Sequence, residues 1–147
     1  MIRVGVTVEV SRPLEEVFAY ITDPANLAEW QPNLVSVTQL TEGPVRAGTR
    51  FREVRRGPFG RDVEAIVEAC AYEENRRFDL RIVAGPLPIH GENRFTAVDG
   101  GTRVDFVGHG ELRGPLRLAR PLLVRLLRRQ FQSDYARLKQ VLESWRP

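Results

Sequence analysis

The tripeptide His-Gly-Glu occurs twice, at 90–92 and 109–111, and the two copies hold both histidines of the 147-residue chain. Imidazole titrates near neutral pH and ligates divalent metals, and a carboxylate two residues away adds a proton-transfer partner or a further ligand. "VDGG" at 98–101 lies between the copies. Asp-Gly tolerates the positive φ of a type I′ turn, so Val98 faces Gly101 across a two-residue hairpin. Thr96 then meets Arg103, Arg94 meets Asp105, Glu92 meets Val107 and His90 meets His109. His90, His109, Glu92 and Glu111 could thus hold a metal or work as an acid–base pair. Against this stands the other face of the hairpin. Asn93, Phe95, Val104 and Phe106 are the more apolar set and belong inside, which turns the histidines outward. A bulge at Gly91 or Gly108 would change which residues point in. The sequence is therefore read as needing no metal and no cofactor.

The inner face offers a different chemistry. Asn93 is polar among apolar neighbours. Arg52 joins it if "RGPFGR" pairs Val54 with Val63 and Arg52 with Ala65, because Val63, Ala65 and Val67 then face inward with it. A buried Arg needs an anionic partner. The opposite phase turns Phe51, Glu53 and Ile66 inward, and the sequence leaves both phases open. Ala65, Ala69, Gly91 and Gly108 are small enough to leave interior room. Cys70 is the one cysteine; in an apolar run it reads as a small core residue, and no disulfide is possible within the chain. Ser11, Ser36, Ser133 and Ser144 have no His or acid placed by local sequence to activate them. "GPFG" and "DGG" are hairpin turns and do not form a phosphate loop.

These residues must be positioned by the elements around them. "IRVGVTVEV" alternates, placing Ile2, Val4, Val6, Val8 and Val10 on one face of a strand. Ser11 is expected to cap a helix with Pro13 in its first turn, and Leu14, Val17, Phe18 and Ile21 recur at helical spacing. Asp23 caps a second short helix carrying Leu27 and Trp30, and Pro32 ends it. Strands are predicted near 33–41, 49–57, 61–72, 76–84, 87–98 and 101–113. A long helix follows over 120–144, with Pro121 in its first turn and "LRLA" as a separate lead-in. Its apolar stripe is Leu123, Leu127, Phe131, Tyr135, Leu138 and Leu142, and Trp145 could extend it. A large antiparallel sheet needs a cover for its apolar face, and the long helix alone is big enough.

The chain fits a single domain over 1–147. Its net charge is +3 and its pI about 9.6, with Lys139 the one lysine among 22 basic residues. Arg113, Arg117, Arg120, Arg125, Arg128 and Arg129 gather around the start of the long helix, where acidic residues are preferred. They read as a solvated face, or as a contact for an anionic membrane or an acidic protein. Nucleic acid is not expected, because no exposed aromatics interleave with the arginines. With neither a signal segment nor an apolar run of spanning length, a cytoplasmic protein is expected.

"VEVSRPLEEVFAYITDPANLAEWQPNLVSV", "GTRFREV", "GENRFTAVDGGTRVDF" and "RLLRRQFQSDYARLKQVLES" together resemble the START-like, or SRPBCC, superfamily, most closely its polyketide cyclase/dehydrase branch. The resemblance implies an α+β helix-grip fold. In it a seven-stranded curved antiparallel sheet surrounds a long C-terminal helix, two short helices follow strand 1, and a cavity lies between sheet and helix. Trp30 would pack where the short helices meet the sheet, near the cavity mouth. Members include lipid carriers, hormone receptors, cyclases and oxygenase subunits, so the fold does not fix the chemistry. The ligand-binding candidates are Trp30, Arg52, Asn93, Phe95, Phe106, Phe131 and Tyr135. By analogy with cyclases, Asn93, Arg52 and Tyr135 could be the polar cavity groups. The leading expectation is a non-catalytic binder of a small hydrophobic molecule. The alternatives are a cyclase or dehydratase, and a regulatory or assembly subunit with a filled core. A core with Phe95, Phe106, Phe131 and Tyr135 packed together and no void would exclude the binder.

Overall fold

The computed structural model describes residues 1–57 and 60–144. Pro58 and Phe59 at the tip of "RGPFGR", and the helix extension at Trp145, lie outside the described residues. The elements are β1 (Ile2–Val10), α1 (Leu14–Thr22), a 3-10 turn (Pro24–Asn26), α2 (Leu27–Trp30), β2 (Leu34–Gln39), β3 (Arg50–Arg56), β4 (Asp62–Glu73), β5 (Arg77–Ala84), β6 (Ile89–Val98), β7 (Gly101–Gly110), a 3-10 segment (Gly114–Ala119) and α3 (Arg120–Glu143). Among the described residues, seven strands form one antiparallel sheet in the order β1-β7-β6-β5-β4-β3-β2. β1 and β2, neighbours in sequence, therefore occupy opposite edges, and α1 and α2 make the crossing between them. Strands and long helix combine as the expected helix grip. No described helix is long and apolar enough to cross a membrane.

Each helix follows its apolar spacing. In α1, Val17, Phe18 and Ile21 are buried. Its cap departs from expectation: Pro13 holds the N-cap position with no side-chain hydrogen bond. Ser11 instead donates its backbone N–H to Glu143 Oε2 at 2.8 Å, tying the strand exit to the end of α3. Asp23 does cap the turn after α1, accepting from the Ala25 N–H at 2.9 Å. Asp23→Ala should lower unfolding free energy by about 1 kcal/mol, measured by urea titration, because the N–H loses its intramolecular acceptor.

α3 runs 24 residues with Pro121 in its first turn. It packs on β1 and α2. The second half of its stripe, Tyr135, Leu138 and Leu142, is buried in one cluster with Val10, Val17, Phe18, Phe95 and Val104. Leu123, Leu127 and Phe131 in the first half are only half-buried. The grip is tight at one end of the helix and loose at the other.

The β6–β7 register is the one the two-residue turn demands, with His90 opposite His109 and Arg94 opposite Asp105. Asn93, Phe95, Val104 and Phe106 are buried, so this hairpin's inner face is as expected. The β3–β4 hairpin differs by one residue. Arg52 pairs with Ile66, Glu53 with Ala65 and Arg55 with Val63. The last pair is Arg56 with Asp62, and the Gly57 N–H donates to the Arg61 carbonyl at 2.7 Å inside an odd-numbered loop. A one-residue slip exchanges the faces of a strand. Phe51, Glu53 and Arg55 consequently share the inner face with Val63, Ala65 and Val67. Arg52 is turned outward, its side chain 50% exposed and 3.9 Å from Glu64.

Candidate functional site: a cavity with one polar end

The loose end of the grip encloses a cavity of about 580 Å³ between the sheet and the first half of α3. Small residues keep it open. Ala65 and Gly91 line it, and a Cβ on Gly91 would come within 3.1 Å of the Phe106 ring. Gly108 has a different part: a Cβ there would meet Phe131 at 2.9 Å, so its room is taken by aromatic rings. Ala69 is buried in the core. The opening is marked by the exposed lining residues Arg56, Pro86 and Leu126.

One wall is aromatic. Phe106 meets Phe131 at 4.8 Å and Tyr135 at 5.0 Å between ring centroids, and Trp30 meets Tyr135 edge-on at 5.1 Å. Phe95 is not part of this layer; it packs edge-on against Phe18 at 5.0 Å. An aromatic layer and a void thus exist side by side. Of the seven candidate residues, Trp30, Asn93, Phe106, Phe131 and Tyr135 line the cavity, whereas Arg52 and Phe95 do not. Trp30 does not stand at the mouth either: it is 2% exposed, against α3. Among the described residues its indole Nε1 is the buried side-chain polar atom without a hydrogen-bond partner.

Asn93 is occupied within the protein. Its Nδ2 donates to the Phe78 carbonyl at 3.1 Å, and its Oδ1 accepts from the Tyr135 hydroxyl. Burial holds the Tyr135 pKa well above that of a free phenol, so it remains a neutral donor to Asn93. The pair fixes α3 to β6.

The polar end of the cavity involves Glu53, inward in one of the two phases the sequence leaves open, and residues that were not among the candidates. Arg55 Nη2 donates to Glu53 Oε1 and to Gln31 Oε1, both at 2.7 Å, and its Nη1 donates to Asn33 Oδ1 at 3.1 Å. Across the cavity on α3, Gln130 Nε2 donates to the two carboxylate oxygens of Asp134 at 3.4 and 3.3 Å. All six groups line the cavity. Burial pushes the Asp134 carboxyl up to about 6, opposed by the Gln130 hydrogen bond and the Arg55 charge. A carboxyl so poised inside an apolar cavity can accept or deliver a proton near neutral pH. The spacing held a signal for it: Asp134 follows Phe131 by three and precedes Leu138 by four, on the apolar stripe itself.

The outer face carries two further groups from the sequence reading. His90, Glu92 and His109 come together there, while Glu111 is exposed and outside that cluster. Arg113, Arg117, Arg120, Arg125, Arg128 and Arg129 are all exposed.

Residues 1–143 match the sequence profile of a family described as polyketide cyclase / dehydrase and lipid transport. Solved structures of similar fold include TTHA0849 from Thermus thermophilus, 22% identical over 96% of this chain and 97% of that one, with a TM-score of 0.81. Ms6760 from Mycobacterium smegmatis is 22% identical, covers 95% and 90%, and scores 0.71. DR_A0006 from Deinococcus radiodurans is 22% identical, covers 97% and 98%, and scores 0.70. At these identities the likeness is one of fold. No curated protein matches the chain.

Proposed function

The chain belongs to the START-like (SRPBCC) family of polyketide cyclases/dehydrases and lipid-transport proteins, and from that premise we propose that it binds and carries a small hydrophobic molecule bearing a polar oxygen. The observation that carries this reading is the cavity of about 580 Å³, apolar along most of its wall and polar at one end. Burying a ligand's apolar surface is worth about 25 cal/mol per Å². The Trp30 N–H offers an unused donor, and a ligand oxygen would satisfy it. Native mass spectrometry of the purified protein, with organic extraction, tests the reading. One apolar molecule per chain, displaced by Ala65→Phe, supports it; an apo protein that binds no fatty acid, sterol or polyphenol probe ends it.

Loading at an anionic membrane completes the proposal. From Leu112 to Ser133 the chain has six arginines and no Asp or Glu. Leu118, Leu122 and Leu126 are 89%, 58% and 51% exposed within that stretch, and Leu126 also lines the cavity. These exposed leucines, with Leu126 at the opening, can enter the headgroup region while arginines neutralise lipid phosphates, each worth about 1 kcal/mol near the surface. Co-sedimentation should show binding to vesicles of phosphatidylglycerol and phosphatidylcholine but not to phosphatidylcholine alone. Binding should weaken with salt and fall at least about tenfold in Leu118→Asp/Leu122→Asp. Retention by an acidic protein without vesicle binding would assign the patch to a protein partner instead.

A second reading has its own observation. Asp134 is a carboxyl poised near pH 6 in the cavity wall, the group a cyclase or dehydratase would need to move a proton. Turnover of a poly-ketone substrate that Asp134→Asn abolishes while leaving binding intact would favour the enzyme.

A further inference from the structure

We propose that His90, His109 and Glu92 form a binding site for one divalent d-block cation of the zinc, copper or nickel kind, on the outer face of the sheet. It is separate from the cavity: strand alternation sends His90 and Glu92 to one side of β6 and Gly91 and Asn93 to the other. The tight turn at 98–101 allows no slack in the pairing, and both histidines of the chain fall at one cross-strand position. Their rings stack at 4.8 Å and 25°. Glu92 comes from the same face of β6, and its Oε2 lies 3.8 Å from His109 Nε2.

The donor atoms of the three residues all lie within 4.8 Å of one another. A cation bound at about 2.1 Å to nitrogen and oxygen holds two donors at most about 4.2 Å apart, so the side-chain rotation required is small. Two imidazoles and one carboxylate suit zinc, copper and nickel better than magnesium or calcium, which take oxygen ligands. Cys70, half-buried and not in the core, has its Sγ 3.9 Å from His90 Nε2.

The surrounding charges leave Glu92 available. Arg94 Nη1 is held by Asp79 Oδ1 at 2.5 Å, with its Nη2 3.8 Å from Glu92 Oε1. Arg81, the neighbour of His90 on β5, donates to Glu68 at 2.8 Å. These two guanidiniums thus have closer carboxylates than Glu92, while Arg3 stands opposite His109 on β1. A cation here would clip β6 to β7 across their open side.

The test is a zinc titration of the chelator-stripped full chain by calorimetry, with copper(II) electron paramagnetic resonance reporting nitrogen ligation. One ion per chain at micromolar affinity is expected, with two-nitrogen hyperfine structure. His109→Gln and Glu92→Gln should each weaken binding at least tenfold without changing the far-ultraviolet dichroism. Binding that survives in His90→Gln/His109→Gln, a stoichiometry other than one, or no saturation below millimolar zinc would overturn the proposal.

Discussion

Asp134→Asn is expected to make the protein more stable at pH 8, by about 2–3 kcal/mol, and to leave it unchanged below about pH 3. The sign follows from burial. The carboxyl pKa rises from its ordinary 3.8 to about 6 in the folded chain. Below about pH 3 folded and unfolded chains both carry the proton, and the site costs nothing. Between about 3 and 6 the unfolded chain releases it first, so stability falls as pH rises. Above 6 the folded chain holds a desolvated carboxylate and the whole cost is present. An amide of the same shape cannot ionise and escapes it. Urea denaturation of both proteins across this range is the measurement, and parallel stability curves would refute the argument. The same proton should govern ligand uptake: an apolar ligand lying over Asp134 favours the neutral acid. Its affinity should drop as pH rises through about 6, and Asp134→Asn should remove that dependence.

Ala65→Phe is expected to abolish most ligand binding while the protein stays folded. Ala65 lines the cavity opposite Glu53 on β3, so an added ring enters empty space. Denying a ligand the burial of three methylenes costs about 2.4 kcal/mol, roughly 50-fold in affinity. Filling a void leaves stability within about 1 kcal/mol, unlike overpacking a full core. Fluorescence displacement of an apolar probe, run beside thermal unfolding, separates the two effects. Undiminished binding would place the ligand elsewhere.

The parts of the structure differ in how far local sequence could specify them. β6 and β7 were legible residue by residue, because a two-residue turn leaves a single register and Phe95, Val104 and Phe106 mark its inner face. The β3–β4 hairpin was not. Its loop length decides the phase, and strand 62–73 alternates charged with small residues that suit either side. Arg52 looked like a cavity group for that reason, whereas Glu53 and Arg55 are the residues that reach the polar end. The aromatic wall was legible as a set but not as a partition: nothing in the spacing says that Phe95 turns to Phe18 while Phe106 turns to α3. The void itself depends on how far α3 stands from the sheet, and no helical periodicity contains that distance. Asp134 was readable on the stripe, yet in isolation a single acid there looks like an interruption.

The placement of β1 and β2 at opposite edges of the sheet has a consequence for synthesis in the cell. Ile2 pairs with Gly110 and Val10 with Thr102, so β1 has no strand partner until about a hundred later residues have been made. At roughly 5–20 residues per second on the ribosome, that wait lasts on the order of 5–20 s. For all of it "IRVGVTVEV", with five aliphatic side chains on one face and no proline, is an unpaired strand of the kind that seeds aggregation. Of the seven strands, the one made earliest thus waits longest for its partner, and a holding chaperone would have its work there.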